Sequence, residues 1–149
     1  MRAWGAEVRT ALAALALVAA ACGGANGGSS QESPGGTIEI SGERANDHGT
    51  ADISGTSTFE LQMGDLGPAT APFFSPTVLT GTPGQMVELT LENEGATPHN
   101  FTLEDQGIDQ DVDAGEEGSV TLTFPESGFL EFHCKFHSAQ GMRGELKVA

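Results

Sequence analysis

Positive charge is what this 149-residue chain has least of: 6 Lys and Arg stand against 21 Asp and Glu, for a net charge of −15. That balance excludes a nucleic-acid partner, because phosphate binding needs clustered Lys and Arg. Cysteine is scarce as well; two residues permit at most one disulfide and exclude a disulfide-rich scaffold. The charge-free run from Ala11 to Ala21 falls short of the roughly 20 apolar residues that a permanent membrane helix needs. No segment has a convincing amphipathic helical period, and no internal repeat, catalytic triad or substrate-pocket signature is present. At this length one modest domain with appendages fits, and two large domains do not.

The N-terminal region is organised for export. Residues 1–21 have a positive start in Arg2 and Arg9, diluted by Glu7, followed by the apolar stretch through Leu12, Leu15, Leu17 and Val18. The segment ends in Ala19-Ala20-Ala21-Cys22-Gly23, which resembles a bacterial lipobox, where the peptide is cut before a cysteine whose thiol is acylated. An ordinary cleaved signal with an incidental cysteine is the plainer alternative; Cys22 is read as a lipid anchor. Residues 22–36 carry the anchor and a Gly/Ser-rich tether with no large apolar side chain, which cannot offset its own ordering entropy. In the Gly-rich coil regime such a tether spans roughly 20 Å. Residues 37–56 admit two readings. Thr37-Ile38-Glu39-Ile40 suits a short strand, yet the polar, turn-rich sequence after it either lies along a domain or prolongs the tether.

From residue 57 to 149 the pattern turns period-two, the signature of half-buried strands. Phe59, Leu61 and Met63 alternate with polar residues, as do Val87, Leu89 and Leu91, and Val120, Leu122 and Phe124. Leu130, Phe132 and Cys134 share one parity, and Leu146 and Val148 another. Gly and Pro punctuate the gaps at 81–84, 94–98 and 125–128. Several short strands separated by turn signals imply an all-β, antiparallel β-sandwich.

One stretch carries chemistry. Phe132-His133-Cys134-Lys135-Phe136-His137 runs on through Gly141 to Met142, a C-x2-H-x4-M skeleton between two strands, and an earlier histidine stands at Pro98-His99-Asn100. One thiolate, two imidazoles and a thioether make a soft donor set with a weak axial member, a combination suited to copper cycling between Cu(I) and Cu(II). Cysteine and histidine three apart converge from one tight turn, and four further residues bring the chain back for methionine to cap the site. Parity agrees. Cys134 is in phase with Phe132, His99 with Phe101 and Leu103, and Met142 with Leu146, so all three point inward from strand ends.

These residues resemble those of the cupredoxins, the blue copper proteins, and most of all the plastocyanin/pseudoazurin-like group. The similarity runs from about Ser57 to Ala149 and is sharpest in PHNFTLED and FHCKFHSAQGMRGELKV. It implies a Greek-key β-sandwich holding one mononuclear copper, with His99, Cys134 and His137 as equatorial ligands and Met142 as the axial one. It also implies that Asn100 ties the two ligand loops together by hydrogen bonding. The implied role is single-electron transfer by a monomer between redox proteins such as a cytochrome or an oxidase, with His137 on an exposed loop as the exit route. With Cys22 lipidated, the carrier would sit at the extracytoplasmic face of the cell membrane.

The sequence departs from that group at several places. The residue before the second histidine is often proline, whereas Phe136 keeps a backbone N–H able to donate to the Cys134 sulfur and raise the reduction potential. There is no tyrosine, and His133 stands where plant plastocyanins have an aromatic residue. A single loop cysteine excludes a binuclear centre needing two thiolates, and the absence of His-x-His pairs argues against multicopper-oxidase chemistry. The run Glu104 to Glu117 holds seven acids and no base. Its Asp109-x-Asp111-x-Asp113 start fails as a calcium loop, because Ala114 and Val120 stand where glycine and glutamate are required. A solvated loop is its default reading, and steering of a basic partner the functional alternative. Lys135, Arg143 and Lys147 cluster in or after the C-x2-H-x4-M loop and are expected to relieve the acidity there. His48 is expected to be solvated, His133 to be a surface residue and not a ligand, and Met63 and Met86 to be packing residues. A different class of protein, a copper-delivering lipoprotein with no electron-transfer partner, is the main alternative.

Overall fold

Strands form where one face of the alternation can be buried, because successive side chains of an extended chain point to opposite sides. A computed structural model of the chain describes residues 35–65 and 71–149. In chain order the strands are β1 (Gly36–Ile40), β2 (Glu43–Asp47), β3 (Thr50–Asp52), β4 (Thr58–Gly64), β5 (Phe73–Ser75) and β6 (Val78–Gly81). They continue as β7 (Met86–Asn93), β8 (His99–Leu103), β9 (Ile108–Val112), β10 (Glu117–Thr123), β11 (Phe129–His133) and β12 (Arg143–Val148). Among the described residues helical structure is limited to 3-10 turns at Glu104–Gln106 and Ser138–Gln140. The expected signal peptide, Cys22 and nearly all of the tether lie outside the described residues.

One sheet has the order β10-β7-β4-β5 and the other β3-β6-β12-β11-β8-β9, with β1-β2 as a separate hairpin. The inward residues of both sheets meet in a single core. Leu61, Met63, Leu89, Leu91 and Leu122 come from the first, and Leu79, Phe101, Leu103, Phe132 and Leu146 from the second. The all-β sandwich expected from the sequence is present, but it is not wholly antiparallel. Strand β4 runs parallel to β7, β6 to β12, and β3 to β6. Period-two alternation reports which face is buried and is blind to strand direction. Here the chain leaves the first sheet after β5, contributes β6 to the second, and returns as β7, a crossover that parallel pairing requires.

The segment 37–56, left with two readings by its sequence, forms β1, β2 and β3. Ile40 and Ala45 are fully buried, and Asn46 fastens the hairpin to the rest of the molecule. Its side-chain Nδ2 donates to the carbonyls of Pro72 (2.8 Å) and Gln140 (2.9 Å), and its backbone N–H donates to Gly141 O (2.8 Å). Gly141 sits at φ +90°, and a Cβ there would come within 3.0–3.1 Å of the Asn46 side chain. The hairpin therefore braces the loop between Cys134 and Met142.

Three phenylalanines form the packed floor of that end of the sandwich. Phe101 stacks on Phe132 with centroids 4.9 Å apart, and Phe74 meets Phe132 edge-on at 5.0 Å. Phe101 lies two residues after His99 and Phe132 two before Cys134, so the rings anchor the same strand faces that carry the candidate donors. Phe132 lies across β12 directly over its pairing partner Gly144. A Cβ on Gly144 would fall 2.2 Å from the ring and 2.5 Å from Thr77 O, which is backbone and cannot turn aside. Gly144→Ala is expected to destabilise the fold by about 1–3 kcal/mol through overpacking. The measurement is urea unfolding, where the midpoint should fall with the slope unchanged.

Candidate metal centre

Two strands and one loop bring the donors together. His99 opens β8, Cys134 directly follows β11, and both are fully buried; His137 lies three residues on and is half-buried. Nδ1 of His99 is 3.2 Å from Nδ1 of His137, and Cys134 Sγ is 3.5 Å from the same His137 nitrogen. All three donor atoms lie within 4.8 Å of one another, the one such His/Cys/Asp/Glu group among the described residues. His48 and His133 do not join it.

The loop is closed by its own backbone. His137 N donates to Cys134 O (3.0 Å), which makes the tight turn that a three-residue spacing allows. Cys134 N donates to Met142 O (3.0 Å), and Met142 N to His137 O (3.2 Å). Met142 is thus fastened to both donors; its side chain is fully buried in the same core as Cys134.

Asn100 joins the two halves of the site. Its Oδ1 accepts from Lys135 N (3.3 Å) and from Thr102 Oγ1 (2.6 Å), while its Nδ2 donates to Asp109 Oδ1 and Asp111 Oδ1, each at 2.7 Å. Lys135 Nζ contacts the same two carboxylate oxygens at 2.7 Å. Strand β9 is therefore latched to the Cys134 loop through one buried amide and one surface ammonium.

The electrostatics suit a bound cation. Burial pushes the Cys134 thiol above its usual range, while backbone N–H groups, led by that of Phe136 and followed by those of Asn100 and His137, favour the thiolate. Burial also holds His99 below the usual imidazole range, and the neighbouring His137 pushes it further down; Asp65 opposes both. Three electron-pair donors thus face one another where solvation no longer separates them. A metal ion between them would convert that repulsion into coordination, and the donor set of one sulfur and two imidazoles fits copper or another thiophilic ion.

Several expectations need correction. The acidic run 104–117 is solvated, since all seven of its acids are exposed, but it is not simply a loop: it forms a 3-10 turn, the paired strand β9 and the start of β10. Asp109 and Asp111 are held below the usual carboxylate range, first by Lys135 and then by Asn100. The expected relief of negative charge around the loop is also absent at two of its three bases, since Lys135 is paired with Asp109 and Asp111, and Arg143 with Glu131. Met63 packs in the core, whereas Met86 is 65% exposed, because it shares the outward parity of Glu88 on β7. Nor is His48 freely solvated: it stacks on Phe73 with centroids 4.0 Å apart. His133 lies half-exposed at the surface beside Arg143 and outside the donor cluster.

Sequence reasoning missed two residues that shape the site. Asn46 braces the loop from more than ninety positions away. Asp65 accepts from Ala96 N and from Thr97 Oγ1, each at 2.7 Å, and so fixes the turn that leads into His99. Neither lies in a motif, and only the folded chain brings them near.

Comparison with known proteins places these features in a family. The model of the cupredoxin-like domain matches residues 13–148. Plastocyanin A/B of Petroselinum crispum is 32% identical over 87 residues, which is 50% of this chain and 86% of that protein. Among solved structures, a dithionite-reduced auracyanin from the photosynthetic bacterium Roseiflexus castenholzii aligns with a TM-score of 0.50 at 20% identity, over 63% of this chain and 98% of its own. A laccase-like multicopper oxidase from Ochrobactrum sp. aligns with a TM-score of 0.53 at 14% identity, over 70% of this chain but only 30% of its own. At such identities the two structural likenesses are likenesses of fold.

The two ties across the site differ in burial, and so in cost. Asn100→Ala would strand the buried hydroxyl of Thr102 and the Lys135 N–H, a loss of about 1–3 kcal/mol. Lys135→Met removes exposed ion pairs and is expected to cost distinctly less. Urea midpoints of the two variants should fall in that order.

Proposed function

Because the chain belongs to the cupredoxin-like domain family, we propose that it is a type 1 (blue) copper protein that carries single electrons between redox proteins. The convergence of Cys134 Sγ with Nδ1 of His99 and His137 carries this reading. In it His99, Cys134, His137 and Met142 would hold one mononuclear copper per chain. Bound copper supplies a one-electron Cu(I)/Cu(II) couple.

The chain's own residues do the rest. The backbone bonds between Cys134, His137 and Met142, and the Asn100 ties, hold the donors in place, so little rearrangement accompanies a change of charge. Phe101, Phe132 and Phe74 exclude water from below. His137 is the one donor of the three that is not fully buried, which makes its ring edge the route by which an electron enters or leaves. Around that edge Thr97, Pro98, Phe136 and His137 line a shallow, largely apolar depression of about 310 Å³, and Phe136 is 48% exposed. Such a surface suits brief contact with a redox partner, a cytochrome or an oxidase. Lipidation of Cys22 would keep the monomeric carrier at the extracytoplasmic face of the membrane, within reach of partners there. The reading is of a carrier, not an enzyme.

The amide of Phe136 tunes the couple. By withdrawing charge from Sγ it favours the reduced state, as hydrogen bonds to a ligating sulfur do. A bond of about 1 kcal/mol corresponds to roughly 40 mV for a one-electron couple. Phe136→Pro removes the N–H and should lower the potential by an amount of that order; an unchanged or higher value would contradict the tuning.

Titrating Cu(II) into the purified domain tests the function itself. An intense blue thiolate-to-copper absorption with reversible electrochemistry is the expected result. Rapid irreversible reduction with release of Cu(I) would point instead to a copper-delivery protein, and a colourless protein that binds no copper would refute both readings.

A further inference from the structure

The chain enters the sandwich beside the candidate metal centre. Gly35 donates its backbone N–H to Asp47 O (3.1 Å), and Thr37 pairs across the β1-β2 hairpin with Asn46. Asn46 in turn binds Gln140 and Gly141 of the Cys134–Met142 loop. Two hydrogen bonds, joined through the neighbours Asp47 and Asn46, therefore link the point of entry to that loop. The other end of the sandwich lies farther off. Strand β12 leaves the loop at Arg143 and runs six residues to Val148, roughly 20 Å at the rise of an extended strand. There Val148 N donates to Gly128 O (3.1 Å) and Ala149 N to Gly81 O (3.3 Å).

Charge is divided between these surfaces as well. Thr97, Pro98 and Phe136 border His137, and Ser138, Ala139 and Gln140 continue the loop; none of the six is charged. Glu43 and Arg44, which flank the same stretch from the hairpin, are opposite in sign. The outward face of the first sheet is different. It carries Glu60, Glu88, Glu92 and Glu117, with Glu92 directly across from Glu117, and its four strands contain no Lys or Arg. The far end exposes Asp52, Glu126 and Lys147. An anionic lipid surface repels the glutamate face most and the loop least.

We propose that the N-terminal anchor draws the loop end of the domain toward the membrane, so that the surface around His137 meets an integral-membrane redox protein and not a partner free in solution. This rests on the reading of Cys22 as a lipid anchor and of the chain as a copper carrier. The reason is one of length. The composition of the tether gives a span of roughly 20 Å, whereas a domain of about 100 residues is about 35 Å across. To turn its entry side outward, the domain would have to stretch the tether around its own body, which costs chain entropy. Had the chain entered at the end that holds Gly81 and Gly128, the same tether would keep His137 a domain's width from the lipid. Entry beside Gly141 puts His137 on the near side.

The test uses the full chain recovered from membranes into nanodiscs of partly anionic lipid with a nitroxide on the headgroups, and the mass of its N-terminal peptide reports acylation of Cys22. Amide NMR signals of the metal-free protein should be broadened several-fold more at Phe136, His137 and Gln140 than at Gly81, Gly128 and Ala149. Inserting Gly and Ser to make the tether roughly four times longer roughly doubles its span, and should bring the two ends close to equal. In the copper-loaded protein, one electron passing from Cu(I) to ferrocenium carried on lipid headgroups should do so several-fold more slowly with the long tether. Oxidation by soluble ferrocenium should be the same for both tethers. Acylated protein broadened equally at both ends, or more at Gly81 and Gly128, would overturn the proposal and leave the anchor and copper readings standing. An unmodified Cys22 would overturn the anchor and the proposal with it. A chain that takes up no copper would overturn the electron-transfer reading and the partner named here, while the metal-free spectra still decide which end faces the lipid.

Discussion

Where the Nδ1 atoms of His99 and His137 approach to 3.2 Å, with Cys134 Sγ 3.5 Å from the second, three electron-pair donors are held together in a largely dry pocket. Left to themselves, such groups would separate into water or take up protons. Burial already pushes the thiol up and His99 down, toward their uncharged forms. Keeping the donors assembled is the constraint around which this end of the sandwich is built.

Each surrounding feature answers part of that constraint. Backbone bonds close the Cys134–Met142 loop on itself, so its shape depends little on side-chain freedom. Asn100 couples the loop to β8 and, through Asp109 and Asp111, to β9. Asn46 clamps the far side of the loop to the β1-β2 hairpin. The stacked Phe101 and Phe132 fix the strands from below, a packing that only glycine at position 144 permits. These contacts arise from sequence-distant elements, so the site is as rigid as the sandwich itself. That rigidity suits the proposed carriage of single electrons, since reorganisation at each transfer slows it.

Much of this was legible in the chain. The phase of Cys134 with Phe132, and of His99 with Phe101, places both donors inward at strand ends without reference to any structure. The all-β sandwich follows from the same alternation. Strand direction does not, because parallel and antiparallel partners share one period. The order of residues 37–56 also escaped, since their polar sequence is stabilised by Asn46 reaching Pro72 and Gln140, not by an apolar stripe of its own. Asp65 and the pairing of Lys135 with Asp109 and Asp111 were hidden for the same reason. Local sequence carries periodicity and spacing, and these contacts depend on neither. Net charge misled in one respect: the bases near the loop look like a positive patch in sequence, yet Lys135 and Arg143 are matched by carboxylates across the sheet.

The central claim is that one metal ion sits among Cys134, His99 and His137 without disturbing the frame that holds them. A crystal structure of the copper-loaded chain, with anomalous scattering recorded at the copper edge, tests it most directly. The account predicts a single copper peak bounded by Cys134 Sγ and the two Nδ1 atoms, with Asn100, Asn46 and the loop backbone keeping the hydrogen bonds described above. A peak elsewhere, at His48 or His133 for instance, or a loop rebuilt around the ion, would contradict it.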